Sequence, residues 1–296
     1  MNETTAGTLL VLGAAAGFGT IGIFGELAVG IGLGLPTLLP TRFALATLVT
    51  VGLARVRGWP RPRTRRDLGV TFALGVVYAA MTLLFFVSLR SLTAGLATII
   101  LYTYPAFVFV LGAAFLRESA TGGKLVALGL VLAGVGLIVD ADPAGAEPVG
   151  VVLALAAAVC YALYTAASRT LVASLPPRAL MLGVLYGTTV SMAGYGLGTG
   201  QLALPRGVDE WGVVLGLTLV GTVVPLLLFY EGVARLEASR VGVVSTAEPL
   251  VTVTLGATLL GEPITPTVVA GGLLVVGGVL LVQRRRTDGV VGPPRA

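Results

Sequence analysis

Long apolar runs recur along the whole chain, separated by short segments that contain Gly, Pro or Arg. An α-helix of roughly twenty apolar residues crosses a bilayer core of about 30 Å. Backbone polar groups in lipid must bond within their own segment, so each run is predicted to be a transmembrane helix. The pattern predicts ten spans, at 7–28, 36–54, 68–89, 93–116, 122–140, 148–170, 179–199, 210–233, 239–260 and 265–283.

The second half of the chain repeats the first. The stretch 86–138 aligns with 230–282 without a gap, at a constant offset of 144. Identical pairs in this alignment include Leu92/Leu236, Pro105/Pro249, Glu118/Glu262, Thr121/Thr265 and Gly134/Gly278. Two related halves in a hydrophobic chain are typical of membrane transporters whose pathway lies between the halves.

The basic residues fall almost entirely on one side of the predicted spans. If the N-terminus is cytoplasmic, sixteen Lys and Arg residues fall in inner loops and the C-terminal tail, against Arg90 and Arg206 in outer loops. The positive-inside rule therefore predicts both termini in the cytoplasm. The most basic inner loop, 55–67, contains six arginines.

Ten spans in two copies give each copy five spans. With an odd number of spans, the second copy enters the membrane from the opposite side. The predicted fold class is therefore an all-α integral membrane protein of ten transmembrane helices, arranged as two inverted five-helix repeats. The repeats are predicted over 7–140 and 148–283, with a cytoplasmic tail at 284–296.

Composition excludes several classes of function. Charged residues make up 11% of the chain, whereas soluble domains carry about 25% charge. The chain has no histidine and a single cysteine, Cys160. The common zinc, haem and serine-hydrolase chemistries and any disulfide framework are thereby removed. No metal or cofactor is expected, and topology rather than nucleic acid explains the positive net charge.

A pattern of proline followed by glutamate occupies the fourth span of each copy. It reads Pro105-Ala-Phe-Val-Phe-Val-Leu-Gly-Ala-Ala-Phe-Leu-Arg-Glu118 and Pro249-Leu-Val-Thr-Val-Thr-Leu-Gly-Ala-Thr-Leu-Leu-Gly-Glu262. Together with ten spans and a five-plus-five repeat, this doubled pattern resembles the EamA-domain family of the drug/metabolite transporter superfamily, over residues 7–283. The first copy departs from the family pattern at Arg117, where Gly is more usual.

The resemblance implies a carrier of small organic solutes such as amino acids, metabolites, sugars or drugs, and in most members an exporter. It implies no enzymatic activity and no bound nucleotide, and it does not identify the substrate. No Walker motif occurs, so ATP is not the direct energy source.

The leading functional prediction is a secondary carrier in the plasma membrane of a prokaryote. It would work by alternating access around a cavity between the repeats, with a small-molecule substrate and the lipid bilayer as partners. A channel-like pore and a membrane-embedded enzyme are the alternatives; a channel needs a ring of like polar groups, and an enzyme needs clustered acids or histidines. Coupled protons and the oligomeric state are left open.

Three residues near the predicted membrane midplane are candidates for the site. Pro105 and Pro249 each remove a backbone hydrogen bond, so each is predicted to kink its helix, either to free a carbonyl for a cavity or only to aid packing. Glu248 is a carboxylate at a depth where its burial costs on the order of 2.5–3.5 kcal/mol. It is predicted to bind a substrate amine, to carry a coupled proton, or to be a structural acid bonded to Ser245 or Thr246.

One arginine within a predicted span and a set of aromatic residues complete the candidate cavity. Arg42 lies inside the second span, where it can bind a substrate carboxylate or phosphate, or extend to the outer headgroups. The aromatic candidates offer apolar area with hydroxyl donors, or serve only in helix packing. They are Phe18, Tyr78, Tyr102, Tyr104, Tyr161 and Tyr164. Tyr230, closer to the inner interface, fits an aromatic belt better.

The remaining acidic residues are predicted to have structural roles. Glu26 and Glu231 lie near span ends and are interpreted as solvated or capping residues. Glu118 and Glu262 lie at opposite membrane borders and are interpreted as fixing loops rather than binding substrate. Several glycines are predicted to allow close helix contact: Gly13, Gly17, Gly134, Gly136, Gly271, Gly272, Gly277 and Gly278.

Overall fold

The computed structural model describes residues 3–62, 64–115, 122–140, 147–172, 175–236 and 238–287. Within these ranges the chain forms helices and no strands. The first half contains α1 (Glu3–Phe18), α2 (Thr20–Gly30), α3 (Leu35–Val56), α4 (Arg65–Ser88), α5 (Ala94–Leu101), α6 (Tyr104–Phe115) and α7 (Gly122–Asp140).

The second half continues the same succession of helices. Its elements are α8 (Pro148–Val172), α9 (Pro177–Gly198), α10 (Gly207–Thr218), a π-helical turn (Leu219–Val223), α11 (Val224–Val233), α12 (Ala238–Ser245), α13 (Ala247–Leu255), a second π-helical turn (Gly256–Leu260) and α14 (Pro266–Thr287). Of the predicted tail, 284–287 are thus the end of α14, and 288–296 lie outside the described residues, as do Arg117, Glu118 and Thr121.

Ten apolar helical segments account for the predicted spans. In the described part of the chain, seven segments are long and apolar enough to cross a membrane, and three shorter apolar helices lie at Ala94–Val108, Leu125–Leu137 and Pro266–Leu281. The prediction of an all-α integral membrane protein with ten transmembrane helices is confirmed. The bounds of the helices differ from the predicted spans by a few residues.

Three of the predicted spans are broken near their middle. The first span breaks at Gly19, the fourth between Leu101 and Tyr104, and the ninth at Thr246. Proline explains two of these breaks, because Pro105 has no N–H for the carbonyl of Leu101, and Pro249 has none for that of Ser245. The eighth span instead contains the first π-helical turn, and such turns often lie at functional sites.

Contacts between α7 and α14 reveal the symmetry of the fold. A Cβ placed on Gly134 would lie 2.6 Å from the carbonyl oxygen of Gly271, and one placed on Gly278 would lie 2.7 Å from that of Ala127. These two contacts exchange when 144 is added to or subtracted from each residue number. A contact that repeats with its partners exchanged is the mark of a twofold axis.

The crossing of α3 and α9 repeats this arrangement. The hydroxyl oxygens of Thr47 and Thr189 lie 2.8 Å apart. Thr189 lies 3.1 Å from the carbonyl oxygen of Phe43, and Thr47 lies 3.5 Å from that of Leu185. Position increases along α3 as it decreases along α9, so the helices are antiparallel and the axis is perpendicular to them. The prediction of two inverted five-helix repeats is confirmed.

Only some of the predicted small-residue contacts form. Gly17 lies against Pro225, whose ring leaves no room for an added Cβ. A Cβ added at Gly136 or at Gly277 would meet no atom within 4 Å, so the prediction of close contact is wrong for these two positions. On a helix only one face approaches the neighbouring helix, and Gly134 and Gly278 occupy that face.

Candidate functional site

A hydrogen bond between the two repeats joins Glu248 to Tyr102. Glu248 lies in the first turn of α13, and Tyr102 lies at the break between α5 and α6. The Tyr102 hydroxyl oxygen is 2.7 Å from Glu248 Oε2 and 2.9 Å from the carbonyl oxygen of Ser245. That carbonyl is the one freed by Pro249. One tyrosine therefore contacts both the freed carbonyl and the half-buried carboxyl group.

Tyr102 has two hydrogen-bond acceptors but only one hydroxyl proton to donate. A phenol has one proton, so Tyr102 can donate fully to only one of two acceptors. In the structure the Tyr102 hydroxyl donates toward both acceptors, Glu248 Oε2 and the carbonyl oxygen of Ser245. If Glu248 binds a proton, its own O–H can donate to Tyr102, and the phenol proton is then free for Ser245. The Thr246 hydroxyl is engaged with the carbonyl of Val243, at 2.6 Å. The hydrogen bond that the structure gives to the Glu248 carboxyl group is with Tyr102.

The break in the first span lies beside the backbone of Glu248. A Cβ added to Gly19 would lie 3.1 Å from the carbonyl oxygen of Glu248. The Thr252 hydroxyl, one turn further along α13, donates to the carbonyl oxygen of Gly19 at 2.9 Å. The interruptions of three different spans thus meet at Glu248, an arrangement typical of transporter binding sites.

A row of aromatic rings begins at Tyr102, the hydrogen-bond partner of Glu248. The ring centroids of Tyr102 and Tyr104 are 6.0 Å apart, and those of Tyr104 and Tyr161 are 4.2 Å apart. Tyr161 stacks on Tyr164 at 6.2 Å, as expected for residues three apart on one helix face. Tyr164 contacts Tyr78 at 5.2 Å. We call these five residues the tyrosine row. It joins α4, α6 and α8.

The far end of the tyrosine row reaches Arg42 through Phe43. The rings of Tyr78 and Phe43 are 6.2 Å apart. The guanidinium carbon of Arg42 lies 4.8 Å from the centre of Phe43 and 5.5 Å from that of Phe86. Arg42 is only 1% exposed and donates from Nε to the hydroxyl of Thr222 at 3.0 Å. The alternative in which Arg42 extends to the headgroups is therefore wrong.

Phe18 lies apart from the tyrosine row. Its ring contacts Phe229 at 6.4 Å, and Phe229 contacts Tyr230 at 6.2 Å. Tyr230 is partly buried against the main core and lies within electrostatic range of Tyr78 and Tyr164. It therefore belongs to the interior rather than to an aromatic belt. Sequence reasoning favoured a belt position for Tyr230, although Tyr230 aligns with the core residue Phe86 at the offset of 144.

Glu262 forms a second contact between the repeats. It accepts hydrogen bonds from the backbone N–H groups of Ala94, at 2.8 Å, and Gly95, at 3.1 Å. These donors are orphan N–H groups at the start of α5, so Glu262 caps a helix of the opposite repeat. Burial raises the pKa of the Glu262 carboxyl group, and the two backbone bonds lower it in part.

The two acids predicted to be solvated or capping residues differ in their surroundings. Glu231 forms ion pairs with Arg178 at 2.6 Å and with Arg235 at 3.1 Å, and all three side chains are well exposed. Glu26 is half-buried on α2, within electrostatic range of Glu262. Within the described ranges, no group of three or more Cys, Asp or Glu side chains could hold a metal ion.

Comparison with known proteins connects this geometry to a family. The sequence model of the EamA-like transporter family matches the chain twice, over residues 5–140 and 148–284. The chain belongs to the EamA-like transporter family. It is accordingly a multi-pass membrane transporter of the drug/metabolite transporter superfamily.

Several transporters of other organisms are similar to this chain over most of its length. An uncharacterized transporter of Archaeoglobus fulgidus is 30% identical, covering 75% of this chain and 79% of that protein. The uncharacterized transporter YcbK of Bacillus subtilis is 28% identical, covering 95% and 93%. The threonine/homoserine exporter RhtA of Escherichia coli is 24% identical, covering 86% and 82%. A solved crystal structure shares the fold with a TM-score of 0.68 at 20% identity, covering 96% of this chain and 99% of that one.

Proposed function

We propose that this EamA-like transporter is a secondary carrier that exports a small, amine-bearing organic solute in exchange for protons. The observation that carries the proposal is the hydrogen bond between Glu248 and Tyr102. A carboxyl group at a helix break, with one partner from the opposite repeat, is suited to bind either a proton or an ammonium group. The relative RhtA, a threonine/homoserine exporter, supports export and an amine-bearing solute.

The exchange of solute for protons is argued from the single hydroxyl proton of Tyr102, which two acceptors share. With Glu248 protonated, the bonds among Glu248, Tyr102 and Ser245 are all satisfied and the fourth and ninth spans are held together. Loss of the proton leaves a carboxylate that a substrate ammonium can neutralise. The two ligands then compete for one site, so the carrier moves the solute outward as it moves protons inward.

Alternating access would come from movement of one repeat against the other. We propose the units as residues 7–140 and 148–283, with the tyrosine row and Pro105 and Pro249 at the boundary between them. Glu248 would part from Tyr102 when the site opens to one side. At the same time Glu262 would keep its hydrogen bonds to the start of α5, so that the other side of the site stays closed.

Counterflow in liposomes tests the carrier against its alternatives. Purified protein is reconstituted in liposomes loaded with unlabelled L-threonine, and uptake of radiolabelled L-threonine, other α-amino acids and γ-amino acids is measured. A carrier accelerates uptake of label when its own substrate is inside, whereas a channel shows no acceleration. An enzyme would return chemically altered label. Absence of counterflow for every compound in this panel would overturn the proposal.

We further propose that both termini and the loop 55–67 are cytoplasmic, in the plasma membrane of a prokaryotic cell. Arg61 is exposed in that loop, and Arg206 is exposed on the segment before α10. In a Cys160→Ser background, Arg61→Cys is expected to resist an impermeant maleimide added to intact cells, and Arg206→Cys to react. The reverse labelling pattern would contradict this orientation.

A further inference from the structure

Arg42 is a buried cation with an incomplete set of partners. Its Nε bonds to Thr222, but its Nη1 is buried and has no hydrogen-bond partner in the described part of the chain. The described acidic side chains form no ion pair with it. Removing a charged donor from water without a partner is costly, so this nitrogen calls for a ligand.

The fold itself does not require an arginine here. By the internal symmetry, Arg42 corresponds to Val184 at an offset of 142, and Thr222 corresponds to Tyr78 at 144. Val184 lies in a small buried cluster against which Tyr78 packs. The same helix crossing is thus built from apolar contact in one repeat and from a buried guanidinium group in the other. The packing of Tyr78 against the cluster that contains Val184 shows that a valine is sufficient to pack this helix crossing.

The surroundings of Arg42 fix the direction of its free nitrogen. Phe43 and Phe86 lie within cation–π distance and limit the movement of the guanidinium plane. Thr222 belongs to the π-helical turn, and its hydroxyl bonds back to the carbonyl of Leu217, five residues before it, at 2.9 Å. Arg42 is therefore held by one edge, with the other edge left for a ligand.

We propose that Arg42 binds the carboxylate of the transported solute. This assignment rests on the proposed function, since it completes the site whose other pole is Glu248. Tyr78, at the end of the tyrosine row, lies within electrostatic range of both Arg42 and Glu248. Arg42 supplies one positive charge in an interior of low dielectric constant, which a carboxylate balances and a phosphate dianion exceeds. The substrate class is therefore amino acids rather than simple amines.

Paired substrates test the assignment in the same liposomes. Each radiolabelled α- or γ-amino acid is compared with its amino alcohol, in which CH₂OH replaces the carboxylate. We expect the wild-type protein to transport the amino acid at least tenfold faster than the alcohol. In Arg42→Met the ratio should fall to near one, and Arg42→Lys should retain part of it. Arg90→Met, at an exposed arginine, is the matched control and should keep the wild-type ratio.

The ratio separates a binding role from a structural one. If Arg42 only supports the fold, Arg42→Met and Arg42→Lys lower the transport of both members of a pair equally, and an unchanged ratio overturns the assignment. A wild-type ratio near one overturns it as well. Failure of wild-type counterflow for every member of both series instead overturns the proposed function. Uptake of both members at one rate leaves the carrier intact and removes only the arginine site.

Discussion

Glu248→Gln is expected to reduce proton-driven transport at least a hundredfold while leaving the protein folded. The amide of Gln has the size of the carboxyl group and can donate to Tyr102, as the protonated acid does. The variant therefore imitates the protonated state but cannot release a proton or neutralise an ammonium group. A pH gradient across the liposomes should drive uptake by the wild type and not by the variant. The melting temperature in detergent should stay close to that of the wild type.

Two comparisons make this result specific. Glu210→Gln changes an exposed carboxylate on α10 and should leave transport unchanged. Tyr102→Phe removes the hydroxyl that both Glu248 and Ser245 contact, so it should lower the melting temperature as well as the rate. A folded Glu248→Gln protein with the wild-type rate and pH profile would show that Glu248 is structural.

Glu262→Ala is expected to destabilise the protein by about 2–4 kcal/mol, because hydrogen bonds to a carboxylate contribute about 1.5–3 kcal/mol each and their loss is not fully additive. Two N–H groups at the start of α5 would lose their acceptors. Scanning fluorimetry in detergent should show a lower melting temperature. Glu262→Gln should have an intermediate effect, because its amide offers one acceptor to two donors. A melting temperature unchanged in Glu262→Ala would remove the capping role.

The protonation of Glu262 adds a pH dependence with a definite sign. Burial is the larger influence and raises the pKa of this carboxyl group above 4.5. A raised folded-state pKa gives stability that is present below pH 4.5 and is lost as pH rises through the folded-state value. As pH rises from 4.5 through the folded-state pKa, the wild type should therefore lose stability relative to Glu262→Gln. A melting-temperature difference that is constant with pH would contradict this dependence.

Local features of the sequence determined the architecture. The apolar runs predicted ten transmembrane helices, because the backbone polar groups of each run must be hydrogen-bonded within that run when it lies in lipid. The gapless repeat and the odd number of spans per copy required inversion, which the reciprocal contacts of Thr47 and Thr189 confirm. Pro105 and Pro249 indicated helix breaks, since a missing N–H acts within its own helix. Glu248 stood out because of its cost in lipid.

Only the tertiary structure decided which groups meet. The sequence aligned Glu248 with Tyr104, yet the hydroxyl that bonds it belongs to Tyr102, 146 residues away. Arg42 could equally have extended to the headgroups, and its burial depends on Phe86 and Thr222 from two other spans. Hydropathy measures the cost of placing a polar group in lipid. The partner that offsets that cost lies on another helix, and is chosen by packing between helices far apart in sequence.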